Sequence, residues 1–160
     1  MSKTQPSPKP SAAEMLKLDH QLCFALYSSS LAMTKLYKPL LDPLGLTYPQ
    51  YLAMLVLWEG DGITVSELGQ RLLLDSGTLT PLLKRLEASG MIERQRDSAD
   101  ERRVLLHLTP AGRALKARAA KVPPQVLCAS GCSLDELAAL TRRLKQLRGQ
   151  IQSFPSADAA

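Results

Sequence analysis

The chain has 160 residues, a formal net charge of +5 and a pI near 9.3, with 45% hydrophobic residues but only 4% aromatics. That length suits one domain with its own core, and a Leu- and Ala-rich, aromatic-poor composition points to helices and away from a sheet sandwich. No run is apolar and long enough to span a bilayer, residues 1–13 lack the apolar stretch of a signal peptide, and three cysteines with two histidines show no zinc spacing. The expectation is a cytoplasmic protein that uses no metal, no cofactor and no disulfide framework.

Residues 1–12 carry Pro6, Pro8 and Pro10 among Ser and Lys with nothing to bury, so a disordered tail is expected there, ahead of a folded unit over 13–153. From Ala12 a helical pattern through Leu16, Leu22, Leu26, Met33, Leu36 and Leu40 predicts one long first helix, stopped by Pro39 and Pro43. Thr47 with Gln50 forms a capping box for a second helix that ends near Gly60.

Thr64 with Glu67 makes another capping box, opening a short run with Val65, Leu68 and Leu72 on one face. Asp75-Ser76-Gly77 supplies cap and turn, after which Leu79, Leu82, Leu83 and Leu86 repeat three and four apart as far as Gly90. Pro81 leaves that helix's start open: from Asp75 it falls in the interior, whereas a start near Thr78 puts it in the tolerated first turn. Met91 to Arg94 and Val104 to Leu108 then read as short strands around a charged tip, Gln95 to Arg103. Helix, turn, helix and ribbon over 64–109 make a winged helix, an arrangement that sets the second helix in a major groove of DNA and the ribbon tip near a minor groove.

Within that module Ser76, Thr78, Thr80 and Lys84 fall away from the leucine stripe, and the wing carries Arg94, Arg96 and Arg102 with Asp100. Hydroxyl groups serve bases and phosphates alike, so they name no target sequence. In an isolated hairpin the charge cluster would be solvated ion pairs of little worth. Attached to a helix-turn-helix it reads as a groove contact, with Arg102 entering the minor groove and Asp100 orienting it.

Thr109 and Pro110 start a further helix, which Pro123-Pro124 must break or bend. Ser133 with Glu136 caps a last helix whose Leu137, Leu140, Leu144, Leu147 and Ile151 form a coiled-coil-like stripe, and residues 154–160 should fray. That stripe either packs inside one subunit or interlocks with a second copy. The dimer is favoured, since a winged helix reading a palindromic site works in pairs, and the segments 14–60 and 110–152 would build it.

Cys23 lies within the predicted first helix, where a Cys is most often a small buried apolar residue. Tyr27, Tyr37 and Tyr48 give it polar company. Tyr37 is roughly 20 Å from Cys23 along a straight helix, so the two meet only across a dimer, where a phenol can donate a hydrogen bond to a thiolate.

The stretch Asp75-Ser76-Gly77-Thr78-Leu79-Thr80, the Asp100-x-Arg102 tip and Leu108-Thr109-Pro110 resemble the MarR family of bacterial transcription regulators over most of the chain. The setting of Cys23, with Tyr37 and Tyr48, is similar to the family's organic hydroperoxide resistance branch, OhrR, in its two-cysteine form. The resemblance implies a DNA-binding repressor, mainly α with a small β-hairpin wing and dimeric through its terminal helices. It further implies that organic hydroperoxides oxidise Cys23 to a sulfenic acid beside Tyr37 and Tyr48 of the other subunit. An intersubunit disulfide with Cys128 would then release a palindromic operator. Cys132 receives no role.

A second possibility is a MarR-type regulator released by a small aromatic ligand, with Cys23 structural. A thiol peroxidase using Cys23 and Cys128 is disfavoured, because the chain has no thioredoxin-like βαβ pattern, no C-x-x-C and no Gly-rich cofactor loop. No enzymatic activity is expected.

Overall fold

Six helix starts in the computed structural model, which describes residues 10–155, are set by short polar side chains that accept hydrogen bonds from otherwise unpaired backbone N–H groups, the first of them by Ser11. Thr47 caps α3 (Tyr48–Glu59), Thr64 caps α4 (Val65–Leu72), Asp75 caps α5 (Ser76–Ala88), Thr109 caps α6 (Pro110–Ala119) and Ser133 caps α8 (Leu134–Gln152). The reciprocal Glu14, Gln50, Glu67 and Glu136 side chains complete four of the six as capping boxes. The remaining helices are α1 (Ala12–Met15), α2 (Leu22–Leu41) and α7 (Val122–Ser130). Strands β1 (Ile63–Thr64), β2 (Ile92–Arg96) and β3 (Val104–Leu108) form one antiparallel sheet in the order β1-β3-β2.

The first helix is not continuous. Ser11 and Glu14 close the single turn of α1, the backbone is extended at Lys17 and Gln21, and α2 begins only at Leu22. Side-chain bonds replace helical ones across the break: the Gln21 amide donates to the Met15 and Lys17 carbonyls, and the His20 imidazole to the Glu14 carbonyl. Periodicity alone could not reveal this, because the apolar spacing runs on across the interruption. Nor does Pro39 stop α2, which continues to Leu41; only one i→i−4 bond is forfeited, close to the helix end. Pro123 and Pro124 do divide the C-terminal region, by occupying the first turn of a new helix, α7, where their missing N–H groups cost nothing.

The start of α5 is Ser76, so Pro81 is an interior proline. The wing register pairs Ile92 with Leu108 and Arg96 with Val104, which moves Gln95 and Arg96 out of the tip and into β2. β1, two residues pairing with Leu105 and Leu106, was too short to leave a periodic signal.

The core is centred on α3, whose Tyr51, Ala53, Met54, Val56, Leu57 and Trp58 are buried. Against it pack Leu68 of α4, Leu79, Leu82, Leu83 and Leu86 of α5, and Ile92, Leu106 and Leu108 of the sheet, with Leu115, Ala119, Val122 and Val126 closing the far side. A buried Leu or Met of this kind contributes on the order of 2–3 kcal/mol by leaving water. Thus α3, which lies in the segment 14–60 expected to build a dimer, is the middle of the intrachain core. By contrast α2 buries only Leu41, and α8 buries no residue at all. Of the expected tails, residues 1–9 and 156–160 lie outside the described residues; Ser11 and Ala12 belong to the capped turn of α1.

Candidate functional site

The helix pair α4–α5 turns at Leu73, the one described non-glycine residue with a left-handed backbone, φ 57°. The turn is tight enough that a Cβ at Gly69 would sit 2.9 Å from the Leu74 carbonyl oxygen and 2.9 Å from a Leu79 methyl. This close approach sets the angle at which α5 leaves the body. Its leucines point inward, and Ser76, Gly77, Thr78, Thr80, Pro81, Lys84 and Arg85 are exposed on the outer side. Asp75 accepts from the Thr78 N–H at 2.7 Å, and that bond holds its carboxyl below the usual carboxylate range. The Thr80 hydroxyl donates to the Ser76 carbonyl at 2.8 Å, so it is turned along the helix rather than outward.

In the wing, Asp100 Oδ1 accepts the Arg102 backbone N–H and the Arg102 Nε, both at 3.1 Å. Those two bonds lower the Asp100 pKa and aim a guanidinium whose side chain is 91% exposed. The tip is tied below by the Asp97 N–H donating to the Arg103 carbonyl and by an Arg103 to Asp97 ion pair at 3.6 Å. Among the described residues Arg96 donates only to the Glu101 carbonyl, at 3.4 Å. Arg94 is engaged differently: its Nε and Nη2 reach Glu87 of α5 at 2.9 and 2.7 Å, which depresses the Glu87 pKa and joins wing to helix.

Between α5 and the wing lies a cleft of about 490 Å³ lined by Thr64, Ser66, Thr80, Arg94, Arg102 and Arg103 among others. The structure therefore brings Thr80, Arg94 and Arg102 to one concavity, whereas Ser76, Thr78 and Lys84 are exposed on α5 without lining it. Sequence reading gave Arg103 and Ser66 no contact role; Ser66 was hidden because the signal of Thr64–Glu67 is a cap, not a surface.

Hydrogen bonds tie α3 to α6 and, through Asp61, join β3 of the module to α6. Trp58 Nε1 donates to the Gly112 carbonyl at 2.9 Å, Lys116 Nζ to the Trp58 carbonyl at 3.0 Å, and Asp61 accepts from both Leu108 N and Arg113 at 2.9 Å.

All three cysteines are free, Cys23 and Cys128 exposed and Cys132 half-buried. Cys23 is not in mid-helix but at the second position of α2, behind an N-cap, Gln21, whose side chain makes no capping bond. Its neighbours' first-turn N–H groups have no intrahelical partner, so the sulfur sits at the electropositive end of the helix dipole. Cys128 is in the last turn of α7. Where α7 meets α2, Leu40 and Val122 line one small cavity, and Leu40 is about 25 Å along the helix from Cys23.

Tyr37 and Tyr48 are brought together, with ring centroids 4.8 Å apart, and Tyr51 joins them at 5.8 Å from Tyr37. Burial pushes the pKa of all three phenols up, and repulsion between neighbouring phenolates adds to it for Tyr37 and Tyr51. At neutral pH they are hydrogen-bond donors. Tyr51 was absent from the sequence-derived set, since nothing in the spacing distinguishes it from a core residue. Among the described residues no helix is long and apolar enough to cross a membrane.

The model of the transcriptional regulator SarA/Rot family matches residues 35–119. The chain is 53% identical over 132 residues to the organic hydroperoxide resistance transcriptional regulator of Bacillus subtilis, covering 82% of this chain and 90% of that protein. Among solved structures it is similar to reduced AbfR bound to DNA, at 35% identity and a TM-score of 0.72, covering 87% of this chain and 96% of that one. Disulfide-formed AbfR is similar at 37% identity and a TM-score of 0.60, with 84% and 95% covered. A mutant MarR from E. coli, complexed with operator DNA, is similar at 29% identity and a TM-score of 0.71, with 79% and 92% covered.

Proposed function

The chain belongs to the MarR family of winged-helix transcriptional regulators, beside the organic hydroperoxide resistance regulators, and on that premise we propose that it is a dimeric repressor whose grip on DNA is released by oxidation of Cys23. It is a regulator, not an enzyme, and it would work in the cytoplasm on a palindromic operator. The single observation that carries the sensor role is the placing of Cys23: exposed, unpaired, at an uncapped helix end, and roughly 20 Å along its helix from Tyr37 of its own chain.

The solvent-exposed apolar face of α2 would pair with a second copy, bringing Cys23 of one protomer to Tyr37 and Tyr48 of the other. A hydroperoxide ROOH then transfers one oxygen to the thiolate: the O–O bond breaks, ROH leaves after taking a proton, and Cys23 becomes a sulfenic acid. The Cys128 thiol of the partner attacks that sulfur, water departs, and an intersubunit disulfide remains. Neutral phenols, favoured by the burial of Tyr37 and Tyr48, suit hydrogen bonding to the anionic sulfur before oxidation.

On DNA, Ser76, Thr78 and Lys84 of α5 would face the major groove, and Arg102, aimed by Asp100, the minor groove. Arg96, Arg103 and Thr80 lie beside them. Arg94 fits better as the strut that holds the wing against α5, given that two of its nitrogens reach Glu87 Oε2.

The test is fluorescence anisotropy of the reduced protein on a palindromic duplex, titrated with an organic hydroperoxide and then with dithiothreitol, beside Cys23→Ser. Release that dithiothreitol reverses in the wild type and that is absent from the variant is expected. Equal release in both proteins would refute the Cys23 sensor, and indifference to peroxide would favour the reading in which a small aromatic ligand is the inducer.

A further inference from the structure

Cys132 is the one thiol that the reading above leaves unused. It lies four residues after Cys128, on the other side of a sharp reversal at Gly131, whose backbone is left-handed at φ 66°. The Gly131 N–H donates back to the Cys128 carbonyl at 3.3 Å, so the chain folds over at the residue that carries the resolving sulfur. Cys132 is drawn inward by its own bonds: its N–H donates to Ser130 Oγ at 3.2 Å and its Sγ to the Ser130 carbonyl at 3.5 Å. The two cysteines thus flank one helix end, Cys128 exposed and Cys132 half-buried behind it.

Four residues apart across the Gly131 reversal, the two thiols stand at the same helix end, and a disulfide between them needs Cβ atoms roughly 3.5–4.5 Å apart, which asks the turn to adjust. Gly131 permits it, since nothing lies within 4 Å of where its Cβ would be.

We infer that Cys132 is a second resolving thiol, which attacks Cys128 within the Cys23–Cys128 intersubunit disulfide and moves the oxidation into a local Cys128–Cys132 bond. This rests on the reading of Cys23 and Cys128 given above. The step is thiol–disulfide exchange and needs no further oxidant. Cys132 loses its proton to solvent and its thiolate attacks Cys128 Sγ; the sulfur–sulfur bond to Cys23 breaks, Cys23 leaves as a thiolate, and one new S–S bond replaces the old. The product is a protomer pair no longer covalently joined, with Cys23 reduced and the Cys128 position closed. The regulator therefore reopens its own clasp, and a second oxidation of Cys23 finds no partner for a disulfide until a reductant has cleared the local bond.

The experiment oxidises full-length wild type and Cys132→Ser with one equivalent of cumene hydroperoxide in the absence of any thiol, and quenches aliquots over time with an alkylating agent. Non-reducing electrophoresis follows the linked dimer. Tryptic mapping follows the peptide 122–142, which contains both cysteines. The wild-type dimer should appear and then decay as that peptide gains an internal disulfide and Cys23 becomes alkylatable, whereas the Cys132→Ser dimer should persist. Equal binding of DNA by the reduced proteins shows that the variant is folded. Linked dimers of equal persistence, or decay without the Cys128–Cys132 peptide, would overturn the exchange while leaving the Cys23–Cys128 reading intact. Failure of both proteins to form a linked dimer would overturn both readings.

Discussion

Arg102 and Asp100 divide one task between them: the carboxylate holds the guanidinium at 3.1 Å and leaves it almost wholly in solvent. Such an exposed ion pair adds little to stability, so its value lies in aim. Arg102→Ala should weaken operator binding and reduce the salt slope of log K by about one unit, because one fewer counterion is displaced. Asp100→Asn should weaken binding less and leave the slope unchanged. Salt titrations of both variants check this, and an unaltered slope in Arg102→Ala would remove that residue from the DNA contacts. Tyr37, Tyr48 and Tyr51 make a separate prediction. Their pKa values are raised above 10.0 by burial, so the stability they contribute is complete below that value and falls as pH rises through the raised ones. Denaturation midpoints should therefore drop in strongly alkaline solution, and Tyr37→Phe should blunt the fall.

At the scale of elements, two glycines mark places where helices press on backbone. A Cβ at Gly112, in the first turn of α6, would overlap the Met91 carbonyl oxygen, and one at Gly69 would crowd Leu74 and Leu79 in the α4–α5 turn. Overpacking of this kind costs typically about 1–3 kcal/mol. Gly112→Ala should fall at the upper end, since the same residue's carbonyl accepts the Trp58 indole N–H. Gly149→Ala, one turn before the end of α8 with open space around it, should instead be neutral or stabilise by roughly 0.5–1 kcal/mol. Urea denaturation of the three variants orders them, and a harmless Gly112→Ala would contradict the packing of α6 against the wing base.

The whole molecule is unevenly stabilised. One core links α3, the winged helix, α6 and α7, while α8 buries nothing and α2 leaves Leu22, Phe24, Tyr27 and Leu31 in solvent. A 19-residue helix with Leu140 53% and Leu144 38% exposed has an apolar stripe that a second copy would cover in the proposed dimer. Leu140→Asp combined with Leu144→Asp should convert a dimer into monomers by sedimentation velocity and lower affinity for a palindromic duplex much more than for a half-site. A dimer unaffected by the pair would mean that α8 is not part of the interface. Because α6 is tied to α3 through Trp58 and Lys116 and to β3 of the winged helix through Asp61, a change in how two copies pack would reach the winged helix through the base of its sheet.

Much of the architecture follows from the sequence alone, for local reasons. Capping residues at Thr47, Thr64, Asp75, Thr109 and Ser133 act within three or four positions, and the leucine spacing of α5 states which face is buried without reference to any other segment. The Asp100-x-Arg102 pair is likewise local. What needed the tertiary structure were features made by residues far apart or by competition between side chains and backbone. These are the break before Leu22 that puts Cys23 at a helix end, the two-residue strand β1, the engagement of Arg94 by Glu87, and the gathering of Tyr51 with Tyr37 and Tyr48. Each depends on contacts that periodicity cannot count, because a helical pattern reports which residues share a face, not what that face meets.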